Sequence, residues 1–343
     1  MNFNRYITAA FMAIVTMLVS GCFPNNESSP YEKVKLHGRT MGTTYNITLV
    51  TEKNVVDKTA IHAEIDQLLV DVNQSMSTYI NDSELSRFNQ YRGQNPVQVS
   101  PELALVVTEA IRLGQLSQGK LDVTAGKIIN LWGFGPDKRP DVVPSEEDIA
   151  LARSQSGIDK LVINGDQLTK LVPELYVDLS TIAKGYGADV VAELLETRGI
   201  NNYIVEIGGE MRLKGKKETG ELWHVAIEKP VSEKRAVHQI IVPKDNAVAT
   251  SGDYRNYFEE NGKRYSHIID PHTAQPIDHK LVSVTVIHPS SMTADGLSTA
   301  MMVMGEEKAL AFAEENDIAA LLIYKSENGF IEQSTVKFMQ YPK

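Results

Sequence analysis

The sequence predicts an α+β fold with largely antiparallel sheets and flanking helices. Five β-favouring runs follow one another with short polar links: Tyr203 to Ile207, Trp223 to Ile227, Gln239 to Val242, Ala247 to Thr250 and Leu281 to His288. A doubly wound parallel sheet would need helices between them. Asn164-Gly165-Asp166 marks a turn between two further β-favouring halves in the segment 161–172, a hairpin signal. Strand and helix also adjoin early in the chain.

In order, Thr43 to Thr51 alternates Tyr45, Ile47 and Leu49 with Asn46 and Thr48, which reads as a half-buried strand. Ile61, Ile65, Leu68, Leu69 and Val72 then share one helical face. Ser100 as cap and Pro101 in the first turn start a second helix through Val106, Val107, Ala110 and Leu113. The Pro-rich, charged segment Gly133 to Asp148 reads as an internal loop and helix start. Tyr176 to Leu179 is expected as a strand feeding a helix from about Ile182 to Thr197, closed by Gly199. No repeat of 20 to 50 residues is present, so residues 31–343 are expected to form a single domain.

The chain has 343 residues and 42% apolar content, enough for a sizeable core. Its 34 basic and 44 acidic residues give a net charge of −10, so no global positive field gathers nucleic acid phosphates. One cysteine makes neither an internal disulfide nor a Cys/His zinc cluster. That cysteine closes an amino-terminal export signal. Arg5 precedes an uncharged run from Tyr6 to Val19, too short for the ~20 residues of a spanning helix. Val19-Ser20-Gly21-Cys22 then matches a bacterial lipobox. Residues 1–21 are therefore expected to be cleaved and Cys22 to be lipidated, with 22–30 a polar tether. The implied location is the periplasmic face of the inner membrane, held by lipid, with the outer membrane as the alternative.

Three constellations bear chemistry. In Val177 to Asp189, hydroxyl residues mark a helix start, with Lys184, Gly185 and Gly187 in its first turns. This suits a diphosphate cradle, although the same glycines also suit helix packing; it is neither a Walker A loop nor a Rossmann fingerprint. In Thr293 to Ala300, Asp295 and Thr299 are i, i+4 neighbours, so a carboxylate and a hydroxyl leave one helical face, hard oxygen ligands suited to Mg²⁺. An aspartate supporting a helix start beside a packed threonine is the plainer alternative. In Arg264 to Pro276, a short strand delivers His267 and Asp270 to a Pro-terminated turn, where an imidazole can relay a proton. Tyr79 can stack on a planar ring or cap a core.

Taken together with Thr40 to Thr43, Met76 to Tyr79, Leu121 to Thr124, Asn130 to Gly135, Ile207 to Gly209 and Thr250 to Tyr254, the chain resembles the ApbE family of FAD:protein FMN transferases. The match runs in order over nearly the whole mature chain. The resemblance implies a T-fold-like α+β architecture with an FAD groove between lobes, and Mg²⁺-dependent transfer of FMN from FAD to a Thr or Ser hydroxyl of an exported protein, releasing AMP. It places Met41, Tyr79, Lys120, Leu121, Asp122, Asp178, Lys184 and Ile269 around FAD, and Asp295, Thr299 and the Thr181 carbonyl around the metal. His267 is the expected base, with Asp270 and Asp295 as competitors. The implied acceptors are exported subunits of the sodium-translocating NADH:quinone reductase or Rnf-type complexes. An exported FAD-binding protein without catalysis and an FAD pyrophosphatase are the alternatives. The sequence departs from the family pattern at two positions. Ser298 stands where some relatives carry a carboxylate, and Ala274 where glycine is common, so a positive φ there would strain the turn.

Overall fold

A computed structural model describes residues 30–136, 142–230, 237–253, 257–260, 262–327 and 329–341. The signal segment 1–21, Cys22, the tether up to residue 29 and Tyr254 lie outside the described residues.

β1 (Tyr31–Thr40) and β2 (Thr43–Glu52) form a hairpin closed at Thr40 and Thr43. Met41 and Gly42 make its two-residue turn with φ of 48° and 71°, the left-handed pair that matches the twist of the strands. α1 (Lys58–Met76) starts at Asp57, whose side chain accepts from the Thr59 and Ala60 amides. It buries Ile61, Ile65, Leu69 and Val72 of the expected stripe together with Met76, while Leu68 is only partly buried. α2 (Glu84–Gln90), β3 (Val97–Gln98) and α3 (Pro101–Leu116) follow, with Ser100 capping α3 and Pro101 in its first turn as expected. After α4 (Gly126–Leu131) and α5 (Glu146–Ser154), β4 (Leu161–Asn164) and β5 (Gln167–Lys170) form the expected hairpin, with β3 as its third strand.

The strand expected over Tyr176 to Leu179 does not form; only an isolated bridge joins Tyr176 to Ala125. The Asn89 side-chain amide replaces a neighbouring strand. It accepts from the Val177 amide and donates to the Val177 carbonyl, both at 2.8 Å. The Val177 backbone is satisfied without joining a sheet.

α6 (Ala183–Thr197) leads into β6 (Tyr203–Ile207), β7 (Glu210–Lys214), β8 (Val225–Glu228), β9 (Val237–Ile241) and β10 (Ala247–Gly252). Four short strands follow in two pairs: β11 (Tyr257–Glu260) with β12 (Lys263–Ser266), and β13 (Ile269–Asp270) with β14 (Gln275–Pro276). β15 (Leu281–His288), α7 (Ser291–Met304), α8 (Glu306–Glu315), β16 (Ala319–Ser326) and β17 (Gly329–Ser334) complete the elements that build the site's support.

The main sheet has eight strands in the order β1-β2-β6-β7-β10-β15-β16-β17, each pair antiparallel. This is the expected α+β class. Both faces of its centre are covered. Val284 and Val286 join Leu297 and Met301 of α7 in one buried cluster, while Ile287 and Leu321 pack with Trp223 and Phe338 in another. Two covered faces explain why β15 reads LVSVTVIH without a solvated side.

Candidate active site

The site forms where the amino ends of α6 and α7 meet. The N-cap residue of α6, Ile182, offers no side-chain acceptor. The Gly185 amide instead donates to Asp295 Oδ2 of α7 at 3.0 Å. In return, Asp189 of α6 caps α7, accepting from the Ser291 amide at 2.9 Å, the Met292 amide at 3.0 Å and the Ser290 hydroxyl at 2.7 Å. Arg212 completes the Asp189 shell at 3.1 Å. Close approach of the helices needs glycine at 185, since a Cβ there would stand 2.3 Å from the Ser291 carbonyl oxygen.

Asp295 is 2% exposed and lies one helical turn before Thr299, as the spacing predicts. The Lys184 ammonium is 2.7 Å from Glu210 Oε1 and 4.0 Å from Asp295 Oδ1. Glu210 arrives by the β6–β7 turn, where Gly208 and Gly209 hold φ of 64° and 112°. Two buried carboxylates thus share one ammonium, leaving one negative charge in excess. Burial, reinforced by the Glu210 charge and opposed by Lys184, pushes Asp295 up to about 8. Burial likewise raises Glu210 against the pull of Lys184. Burial disfavours the Lys184 charge, but Asp295 and Glu210 outweigh it and hold its pKa above the ordinary value.

A buried negative excess calls for a proton or a cation. Thr181 Oγ1 and Glu210 Oε2 are buried without a hydrogen-bond partner among the described residues. Those residues hold no group of three His, Cys, Asp or Glu side chains able to bind a metal. A cation here would rely on hard oxygens: the Asp295 carboxylate, the Thr299 hydroxyl and the Thr181 carbonyl, with water and phosphate filling the remainder. That donor set fits Mg²⁺.

A groove of about 700 Å³ opens at Lys184, within the size range of small-molecule sites. Met41, Met76, Tyr79, Asp178 and Lys184 line it. Tyr79 is 68% exposed; burial of its hydroxyl, then the Asp178 charge, raises its pKa. Asp178 itself accepts from the Ser180 amide at 2.8 Å. The structure thus brings together Met41, Tyr79, Asp178 and Lys184, and joins them through Lys184 to Asp295.

The remaining expected residues stand apart from this lining. Lys120 pairs with Asp270 at 2.8 Å. Asp122 faces a separate hollow of about 400 Å³ with Gly119, Ser156 and His272, and accepts from the Thr124 amide and hydroxyl. Burial raises its pKa. The Leu121 side chain is buried with Leu113 and Leu297, and that of Ile269 with Trp132 and Ala274. His267 stands edge-on to Phe134, ring centres 6.3 Å apart. Ala274 does take a left-handed backbone, φ 56°, fixed by its amide donating to Asp270 O and its carbonyl accepting from Trp132 Nε1.

Sequence reasoning missed Glu210. Its signal was the Gly208-Gly209 pair, a tight turn delivering a carboxylate directly after a strand.

A model of the ApbE family matches residues 41–322. The FAD:protein FMN transferase of Vibrio cholerae is 54% identical over 325 residues, 95% of this chain and 96% of that one. The FAD:protein FMN transferase of Haemophilus influenzae is 50% identical, covering 89% of this chain and 90% of that one. Among solved structures, the flavin transferase ApbE from Vibrio cholerae superposes with a TM-score of 0.86 at 54% identity, covering 91% of this chain and 100% of that one. The apo flavinyl transferase ApbE of Pseudomonas stutzeri gives 0.84 at 41% identity, covering 90% and 96%.

Proposed function

We propose site roles, a metal and a location for this chain from one premise: it belongs to the ApbE family and transfers FMN from FAD to target proteins. The observation that carries the proposal is the Lys184, Glu210 and Asp295 cluster at the end of a groove of ligand size.

The acceptor is a Thr or Ser hydroxyl. Its oxygen attacks the FMN-side phosphorus, a new P–O bond forms, the bond to the AMP oxygen breaks, and the hydroxyl proton passes to a base. Lys184 neutralises charge that develops on the departing AMP oxygen, and Glu210 fixes the ammonium where it can do so. Asp295, Thr299 and the Thr181 carbonyl would hold Mg²⁺, which when bound supplies charge neutralisation of the diphosphate. Tyr79 stacks on the flavin ring, with Met41 and Asp178 beside it. Lys120, Leu121, Asp122 and Ile269 are assigned to the rest of the FAD contact. His267 takes the proton, an imidazole being the side chain whose ordinary pKa suits that role. Asp270, its competitor, is paired with Lys120 at 2.8 Å.

The lipobox supports attachment through Cys22 on the periplasmic side of the inner membrane. Exported subunits of the sodium-translocating NADH:quinone reductase or Rnf-type complexes are the proposed acceptors. Incubation of the mature protein with FAD, Mg²⁺ and such a subunit is expected to give an acceptor mass gain equal to FMN and one AMP per adduct. Transfer that survives complete chelation of divalent cations would overturn the metal assignment. Tight FAD binding without either product would exclude these acceptors.

A further inference from the structure

Ser251, the fifth residue of β10, joins Asp295 and Thr299 through a chain of hydroxyls whose direction follows from proton counting. The Ser298 hydroxyl donates to the Asp295 backbone carbonyl at 2.9 Å. A carbonyl only accepts, so the single Ser298 proton is committed there. The contact between Ser251 Oγ and Ser298 Oγ, at 2.8 Å, must then use the Ser251 proton. The contact between Ser251 Oγ and Thr299 Oγ1, at 3.1 Å, must in turn use the Thr299 proton. The chain runs one way, from Thr299 through Ser251 and Ser298 to Asp295 O.

We propose that Ser251 is a positioning residue that turns Thr299 into a pure acceptor, aiming its lone pairs at a divalent cation held jointly with Asp295. The inference rests on the metal reading above and deepens it. Without the relay, the Thr299 hydroxyl is free to rotate and point its proton at the cation, a repulsive arrangement. With it, the hydroxyl is oriented before the ion arrives.

The test is Mn²⁺ binding to FAD-loaded protein without an acceptor, followed through the electron paramagnetic resonance signal of the free ion. Wild type, Ser251→Ala, Ser251→Thr and Asp295→Ala are compared. Loss of an orienting partner is expected to raise the Mn²⁺ dissociation constant about tenfold or more in Ser251→Ala. Ser251→Thr, which keeps a hydroxyl, is expected to restore binding. FAD affinity in EDTA and the thermal midpoint of Ser251→Ala are expected to match wild type. Unchanged Mn²⁺ affinity in Ser251→Ala, with binding lost in Asp295→Ala, overturns the relay and leaves the metal site standing. Wild-type Mn²⁺ affinity in Asp295→Ala overturns both. A Ser251→Ala protein that loses metal, FAD and thermal stability together, or that Ser251→Thr does not rescue, shows a packing role and also overturns the relay.

Discussion

The two ends of the groove are built differently. At the α6–α7 end, polar side chains are buried and tied: Asp295 takes the Gly185 amide, Asp189 takes the α7 amides, and Lys184 is held by Glu210. At the other end, Tyr79 stands 68% exposed after α1, its backbone amide donating to Ser77 Oγ. Where charge must be handled, the geometry is set before any ligand arrives, which removes reorganisation from the reaction. Where a flat ring must be gripped, an exposed aromatic gives area without prior constraint. Changes to the buried charges or the helix contact at the first end should therefore strike turnover and folding together, and changes at the second should strike ligand affinity alone.

The largest break expected is Asp295→Ala, which removes the carboxylate of the proposed metal site. AMP release in the presence of acceptor should fall on the order of 10³-fold, the scale of several kcal/mol of lost charge stabilisation. Asp295→Asn sharpens the same point through pH. The folded carboxyl, pushed up to about 8 by burial, binds its proton more tightly than the unfolded one. Without divalent cations, stability should then fall as pH rises from about 4 to about 8, because the native state must give up a proton the unfolded state has already lost. Melting curves in EDTA should show a shallower fall for Asp295→Asn; an identical pH slope would contradict the buried-charge account.

Next is Gly185→Ala. Its methyl meets the Ser291 carbonyl, so α6 and α7 must separate. Overpacking of this kind costs about 1–3 kcal/mol in denaturant unfolding, and AMP release should fall with it. Tyr79→Ala should weaken FAD binding by about 1–3 kcal/mol, read by flavin fluorescence titration, and leave the unfolding midpoint unchanged. A change in stability there would erase the contrast between the two ends. Ala274→Gly is the smallest effect. Relief of a left-handed alanine, about 1–2 kcal/mol, is nearly offset by the lost buried methyl, about 0.8 kcal/mol, and the added flexibility of glycine, about 0.5–1 kcal/mol. Chemical denaturation should show a difference under about 1 kcal/mol.

What the sequence revealed divides along a similar line. Local features were legible: the Ser100–Pro101 helix start, the hairpin over 161–172, and Asp295 with Thr299 on one helical face all depend on neighbours a few residues apart. Contacts across long stretches of chain were not. Asn89 satisfies the Val177 backbone from 88 residues away, so an extended segment looked like a strand. Glu210 meets Lys184 only because β7 lies beside α6, and the Ser251 relay exists only because β10 packs under α7. Leu121 and Ile269, named through family resemblance, have side chains that the core claims for packing. The positive φ that would strain Ala274 is present in the turn.

The central claim is that the α6–α7 junction holds a divalent cation. An anomalous difference map from a crystal soaked with FAD and Mn²⁺, the latter standing in for Mg²⁺, tests it most directly. The predicted peak lies about 2.1 Å from the Asp295 carboxylate and Thr299 Oγ1, the distance octahedral Mg²⁺ demands. FAD ordered in the groove with the peak elsewhere, or with no peak, would contradict the account.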